Sequence, residues 1–455
     1  MATRTLSQLR AHLREPIDAS SIAAFRIVFG LLVLVATIRF VATGMIHEYF
    51  EVPTHFFSYY GFDWVKPWPG AGMYIHFGVM AVLAAMIVVG LFTRAATLGF
   101  GLLFTYQHLI DKTNYLNHYY LLICLCLVMT LLPMGSAWSL DARLRPHVAR
   151  TQVPRWVLWT LRAQVGLVYV FAGLAKLKYD WVVEAQPMSI WLSANQDFPV
   201  IGRWFGEPWV AHAFSYAGIV FDLSIVPLLL WRRSRPFAYV AVVLFHVITA
   251  RMFHLGMFPW IMIANSLVFL PEGWPRRLLG RPTPHIETKP LRVARALPAM
   301  LGLYFAIQLL LPVRHFAYPG DVCWTEQGFR FAWHVMVMEK DGSVVLHVRE
   351  PGTERRWDVR PGEYLTRYQT KMMAPQPDMI LELAHIVADD FRARGVVDPI
   401  VTVDAFVSLN GHRVARLIDP TVDLARERDG FGNKAWILPR PSDDVRPTLS
   451  AEATP

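Results

Sequence analysis

The chain is 455 residues long, 54% hydrophobic and 17% charged, whereas a soluble protein of that size carries about 25% charged residues. That deficit, with a positive mean hydropathy, points to a membrane protein. The net charge of +9 could suggest nucleic acid, but the basic residues distribute to one membrane face, and no basic nucleic-acid motif, phosphate-cradling glycine loop or zinc-spaced Cys/His set is read.

In chain order, the N-terminal MATRTLSQLRAHLREP lacks a short apolar core with a cleavage site and reads as a cytosolic tail. Apolar segments follow at 22–43, 73–92, 95–110, 118–135, 156–177, 209–231, 237–250, 257–270 and 297–312. Several fall short of the ~20 residues that cross a bilayer upright, and the seventh and eighth also read as a re-entrant pair. Arginine and lysine gather in alternate loops: Arg4, Arg10 and Arg14, then Arg94, Arg143–Arg155, Arg232–Arg235 and Arg276–Arg295. The intervening loops hold only Lys66, Lys112, Lys178 and Arg203, with Arg251 at a boundary. Under the positive-inside rule this puts the N-terminus in the cytosol and the C-terminal part outside, in a cytoplasmic (inner) or ER-like membrane.

After Pro312 the pattern changes. Segments 333–339, 343–349 and 354–359 alternate like strands, 377–394 repeats like an amphipathic helix, and 400–409 with 413–418 flank Asn410-Gly411 as a hairpin. The expectation is a polytopic α-helical membrane protein of about nine spans (1–312), a C-terminal extracytoplasmic α+β, β-rich domain (313–440) and a disordered Pro/Ser/Asp-rich tail (441–455). Cys124 and Cys126 lie on a span and Cys323 in the water-exposed part, so no disulfide framework forms.

The candidate chemistry gathers at the outer leaflet. Lys176 ends the fifth span about 30 Å above its start; Asn117 and His118 open the fourth span on that side, His254 lies in the outer turn after the seventh, and His246 sits two turns deeper. A buried lysine loses its proton readily and becomes a base. Taken alone, however, Lys176 also reads as a snorkelling residue and the histidines as packing or interface residues. Asp222 and Arg162 read as an internal ion pair. The histidines lack metal-box spacing, so no metal is expected.

IDKTNYLNHYYLL (110–122), VYVFAGLAKLKYDWV (168–182), FHLGMFPWIMIANSLVFLPEGWPRRLL (253–279), CWTEQGFRFAWHVMV (323–337), PGEYLTRYQ (361–369) and RLIDPTVDL (416–424) closely resemble, in order, the vitamin K-dependent γ-glutamyl carboxylase family. The resemblance implies an enzyme that oxygenates a reduced vitamin K (menaquinol-type) hydroquinone with O2 and uses the resulting strong base to carboxylate glutamate on a secreted or extracytoplasmic peptide with CO2. By that resemblance Lys176 is the hydroquinone base and His118, preceded by Asn117, the oxyanion partner; their shared leaflet puts Asn117, His246 and His254 in the quinone or oxyanion pocket. Trp333, Phe329 and Phe331 fall in the glutamate-binding segment. The animal members, which are longer, have adjacent lysines where this chain has Ala175-Lys176, and a tyrosine at Phe329. The oxygenation half of the site is thus retained, while the glutamate-selecting half differs. Other readings are a hydroquinone epoxidase without carboxylation, and a non-enzymatic quinone- or lipid-binding protein or transporter. A transporter would show paired repeats and broken mid-membrane helices, whereas no repeat is read here and the polar residues singled out cluster at one leaflet.

Overall fold

A computed structural model describes residues 2–253, 255–282 and 294–441. His254, Lys289, Arg292 and the expected tail from residue 442 lie outside the described residues. Each expected apolar segment is helical: α1 Ser20–Ala42, α2 Gly72–Val89, α3 Thr93–Leu109, α4 Asn117–Leu131, α5 Arg155–Ala175, α6 Pro208–Leu230, α7 Arg235–Met252, α8 Phe258–Asn265 and α9 Leu297–Val313. Six of them (α1, α2, α5, α6, α7 and α9, the last running on to Ala317) are long and apolar enough to cross a membrane. The other three are too short: the 17 residues of α3 and 15 of α4 rise only about 26 and 23 Å, against a ~30 Å hydrocarbon core.

α1 and α5 are the most buried of the six and α9 the least, so the first two form the centre of the bundle while the others keep apolar faces for lipid. Buried cations stitch it together. Arg26, fully enclosed on α1, donates to the carbonyls of Met134 (3.1 Å), Ala137 (3.2 Å) and Trp138 (2.6 Å) beyond α4. Arg162 donates to the carbonyls of Val268 (2.8 Å) and Leu270 (3.4 Å). Peptide oxygens freed at helix ends need donors, and both arginines satisfy them. Arg162 is therefore not the partner of Asp222. A short antiparallel ribbon, β1 Pro16–Asp18 with β2 Gln152–Pro154, ties the N-terminal segment to the start of α5.

The C-terminal domain is a four-stranded antiparallel sheet in the order β4 (Arg356–Val359), β3 (Lys340–Arg349), β5 (Ile400–Leu409), β6 (Ala415–Arg416). Alternation on β3 and β5 sends Val344, Leu346, Val348, Val401, Val403, Ala405 and Val407 to one buried face. The 3.6-residue period of α10 (Pro377–Ala393) brings Ile380, Leu383, Ala384 and Val387 into the same core. At about 1.5–3 kcal/mol per fully buried aliphatic side chain, this layer sustains a core of its own. Asn410 and Gly411 turn between β5 and β6 at φ of 53° and 78°, the left-handed pair such a turn needs.

Two expectations are corrected. Residues 333–339 are irregular rather than a strand, because Phe331, Trp333 and Met336 take left-handed φ of 63°, 57° and 49°; the β alternation starts only at Lys340. Cys323 is buried rather than water-exposed, and Lys178 Nζ donates to its sulfur at 3.1 Å.

Candidate active site

Lys176 is the first residue past α5 and is buried, its side chain 6% exposed. An ammonium has three N–H donors, and three acceptors surround this one: Asp222 Oδ2 at 2.8 Å, the Val335 carbonyl at 3.1 Å and the Ala172 carbonyl at 3.3 Å. The Trp181 ring lies 5.4 Å away. A snorkelling lysine keeps its charge in water; this one does not. Asp222 lies 14 positions into α6, or about 21 Å along its axis, so α6 runs well past the end of α5 and Lys176 meets it part-way along. Its partner Asp222 was visible as an intramembrane acid, but the sequence assigned it to Arg162.

Lys176 and Asp222 open onto a cavity of about 260 Å³ walled mostly by apolar and aromatic side chains, among them Tyr169, Trp191, Phe245 and Phe258. His246 joins this cavity from α7, its Nδ1 2.8 Å from the Val242 carbonyl. His118 and Asn117 line a second, larger cavity of about 600 Å³ together with Arg39, Gln107 and Tyr368. Phe258, Val335 and Met336 border both cavities, and the Phe258 ring is 5.6 Å from His118 and 6.0 Å from His246. Lys176 and His118 are thus not in one chamber as the sequence suggested, but on either side of an aromatic and methionine wall. Asn117 is a brace: its Nδ2 donates to the His334 carbonyl at 3.0 Å and its Oδ1 accepts from the Tyr115 hydroxyl at 3.0 Å.

The three expected glutamate-binding residues separate. Trp333 is fully buried in the bundle's core, stacked on Tyr120 at 4.7 Å. Phe329 stacks on His334 at 5.0 Å. Burial holds the His334 imidazole at a pKa of about 3, with Lys178 adding to the effect, so it is neutral at pH 7. Phe331 lines a cavity of about 280 Å³, rich in charge, between the loops below the sheet domain and the domain itself. There Lys112 meets Asp378 (3.2 Å) and Glu382 (3.0 Å), and Arg330 meets Asp378 (2.7 Å). Burial alone would raise the Asp378 pKa; the Arg330 and Lys112 charges outweigh it and hold the group well below the usual carboxylate range. Burial likewise opposes the Lys112 ammonium, and Asp378 and Glu382 more than offset it.

One segment links these places. From Glu326 to Met336, four non-glycine residues have positive φ, a costly geometry that concentrates at functional sites. It runs from the charged cavity (Glu326, Phe331) through the core (Trp333) to the wall of the lysine chamber, where the Val335 carbonyl accepts from Lys176.

Residues 14–274 match the model of the HTTM domain, and residues 293–443 match that of the vitamin K-dependent gamma-carboxylase lumenal domain. The chain belongs to the vitamin K-dependent carboxylase family. No solved structure matches it. The carboxylase match and the six apolar helices together describe an integral membrane protein whose C-terminal, sheet-containing part is extracytoplasmic.

Proposed function

We propose that this chain couples oxygenation of a reduced vitamin K-type hydroquinone to γ-carboxylation of glutamate on an extracytoplasmic peptide. The observation that carries the reading is the Lys176–Asp222 pair, buried at the edge of an apolar chamber, in a member of this family. The chamber's aromatic walls and its volume of about 260 Å³ suit a planar bicyclic quinone ring, with the lysine at its polar end. With O2, the bound hydroquinone supplies a base strong enough to remove the glutamate γ-proton; CO2 adds to that carbon, and epoxide and water are the co-products.

The chain's own part is proton handling and exclusion of water. A proton shifted from Lys176 Nζ to Asp222 Oδ2 leaves a neutral amine, which takes the proton of a hydroquinone hydroxyl, a group of comparable basicity. The Val335 and Ala172 carbonyls keep Nζ in place through the transfer. His118 serves as oxyanion partner once Phe258 or Met336 swings aside and joins the two chambers, so that one ring meets Lys176 on one side and His118 on the other. His246 packs against the ring, and Asn117 holds the wall segment through the His334 carbonyl.

Hydroquinone epoxidation without carboxylation is the second reading, favoured by one observation: Trp333 and Phe329 line none of the three cavities. Purified protein given reduced vitamin K and O2 should form epoxide, and a glutamate peptide should then fix 14CO2. Epoxide alone selects the second reading, and neither product leaves a binder or transporter. The N-terminus is read as cytosolic from the loop charges. A reporter active only outside the cytosol should therefore work after Pro312 or within 178–210 and fail after Arg235; activity of the Arg235 fusion reverses the topology.

A further inference from the structure

We infer that the charged cleft beside Phe331 is an anchoring site for a carboxylate side chain on an extended peptide, separate from the lysine chamber, with Arg314 as its reading group. This deepens the proposed function and rests on it, since it supposes that the substrate is an acidic peptide. The argument is one of charge accounting. Of the basic residues lining the cleft, Lys112 and Arg330 are held by Asp378, and Lys434 is held by Asp429. Glu326, the remaining acid, is held by Lys340 at 3.0 Å. Arg314 is left over. Among the described residues its guanidinium has no carboxylate partner, and it makes one hydrogen bond, from Nη2 to the Arg330 carbonyl.

A guanidinium carries five N–H donors in a planar fork that matches a carboxylate. Arg314 sits at the C-cap of α9, where the chain leaves the bundle, and faces a cleft of about 280 Å³. That volume takes one or two residues of an extended chain rather than a folded partner. The rim is aromatic and open: Phe431 is 79% exposed and Tyr60 54%, their rings 5.1 Å apart in an edge contact. An exposed aromatic pair beside an uncompensated cation suits a ligand that carries a carboxylate next to apolar side chains. The charged walls argue against an acyl chain, which leaves an anionic lipid headgroup as the competitor for the same cation.

The test uses the full-length protein in neutral-lipid nanodiscs, with a fluorescein-labelled Gly-Phe-Glu-Gly amide and its Gln counterpart, read by anisotropy. Neither hydroquinone nor CO2 is present. The wild type should prefer the Glu peptide, and Arg314→Ala should weaken that peptide roughly 10- to 100-fold, the usual effect of losing a charged hydrogen bond. Binding of the Gln peptide should stay unchanged. Phe431→Ala, at a residue too exposed to threaten folding, should weaken both peptides a few-fold. Equal affinity of the wild type for Glu and Gln peptides, or of Arg314→Ala and wild type for the Glu peptide, overturns the assignment. So does undetectable binding of the Glu peptide in neutral discs, and so does binding in neutral discs that phosphatidylglycerol fully displaces, which makes the cleft a headgroup site. Glu-selective binding by a protein that fixes no CO2 would keep the cleft and refute the carboxylation reading. Carboxylation with an unchanged KM in Arg314→Ala would do the reverse.

Discussion

Lys176→Ala should abolish epoxide formation and carboxylation together. A positioned base is worth about 100- to 10,000-fold, and among the described residues no other amine lines the chamber. The substitution also strands Asp222, 2.8 Å from the lost ammonium, and an uncompensated buried charge costs about 3–5 kcal/mol. Lys176→Ala combined with Asp222→Asn removes that penalty and separates chemistry from folding: the double variant should fold like wild type and still be inactive. Small primary amines should partly restore it, better as pH rises and more of the amine is free base. Lys176→Arg should stay inactive, because a guanidinium keeps its proton. Chromatography of the quinone products reads each case; a Lys176→Arg variant close to the wild-type rate would show that the side chain supplies charge and not proton transfer.

Trp333→Ala has the second-largest expected effect, and it is an effect on the fold. The residue has no accessible surface and stacks on Tyr120, and truncating a buried tryptophan costs about 3–5 kcal/mol. Its left-handed backbone already strains the segment that carries Val335. Thermal unfolding in detergent should shift down clearly, with epoxidation and carboxylation falling in parallel. An unchanged unfolding temperature with only the peptide KM raised would instead make Trp333 a substrate contact.

Much of the architecture was legible because its signals are local. The helix positions followed from apolar runs, and the faces of β3, β5 and α10 from periods of two and 3.6. The site was legible in its parts but not in its joins. Lys176 stood out as a lysine ending a span; its partner did not, because the axial offset between α5 and α6 is set by the 179–207 connection and by packing. By residue count alone Asp222 lies near the height of Arg162, so the sequence paired the wrong two. The partition between Lys176 and His118 was equally hidden, since it depends on where Phe258 and Met336 are held by three-dimensional packing. The 333–339 segment misled for another reason: its alternation of apolar and polar residues is strand-like, but left-handed turns at Phe331, Trp333 and Met336 send the side chains into the core, the cleft and the lysine chamber instead.

The most direct measurement is 14CO2 incorporation into a glutamate peptide by the purified protein, with and without reduced vitamin K, and with the Gln peptide as control. The account predicts incorporation that requires hydroquinone, O2 and glutamate together and disappears in the Lys176→Ala/Asp222→Asn double variant. Epoxide formed at full rate with no label in any glutamate peptide would contradict it.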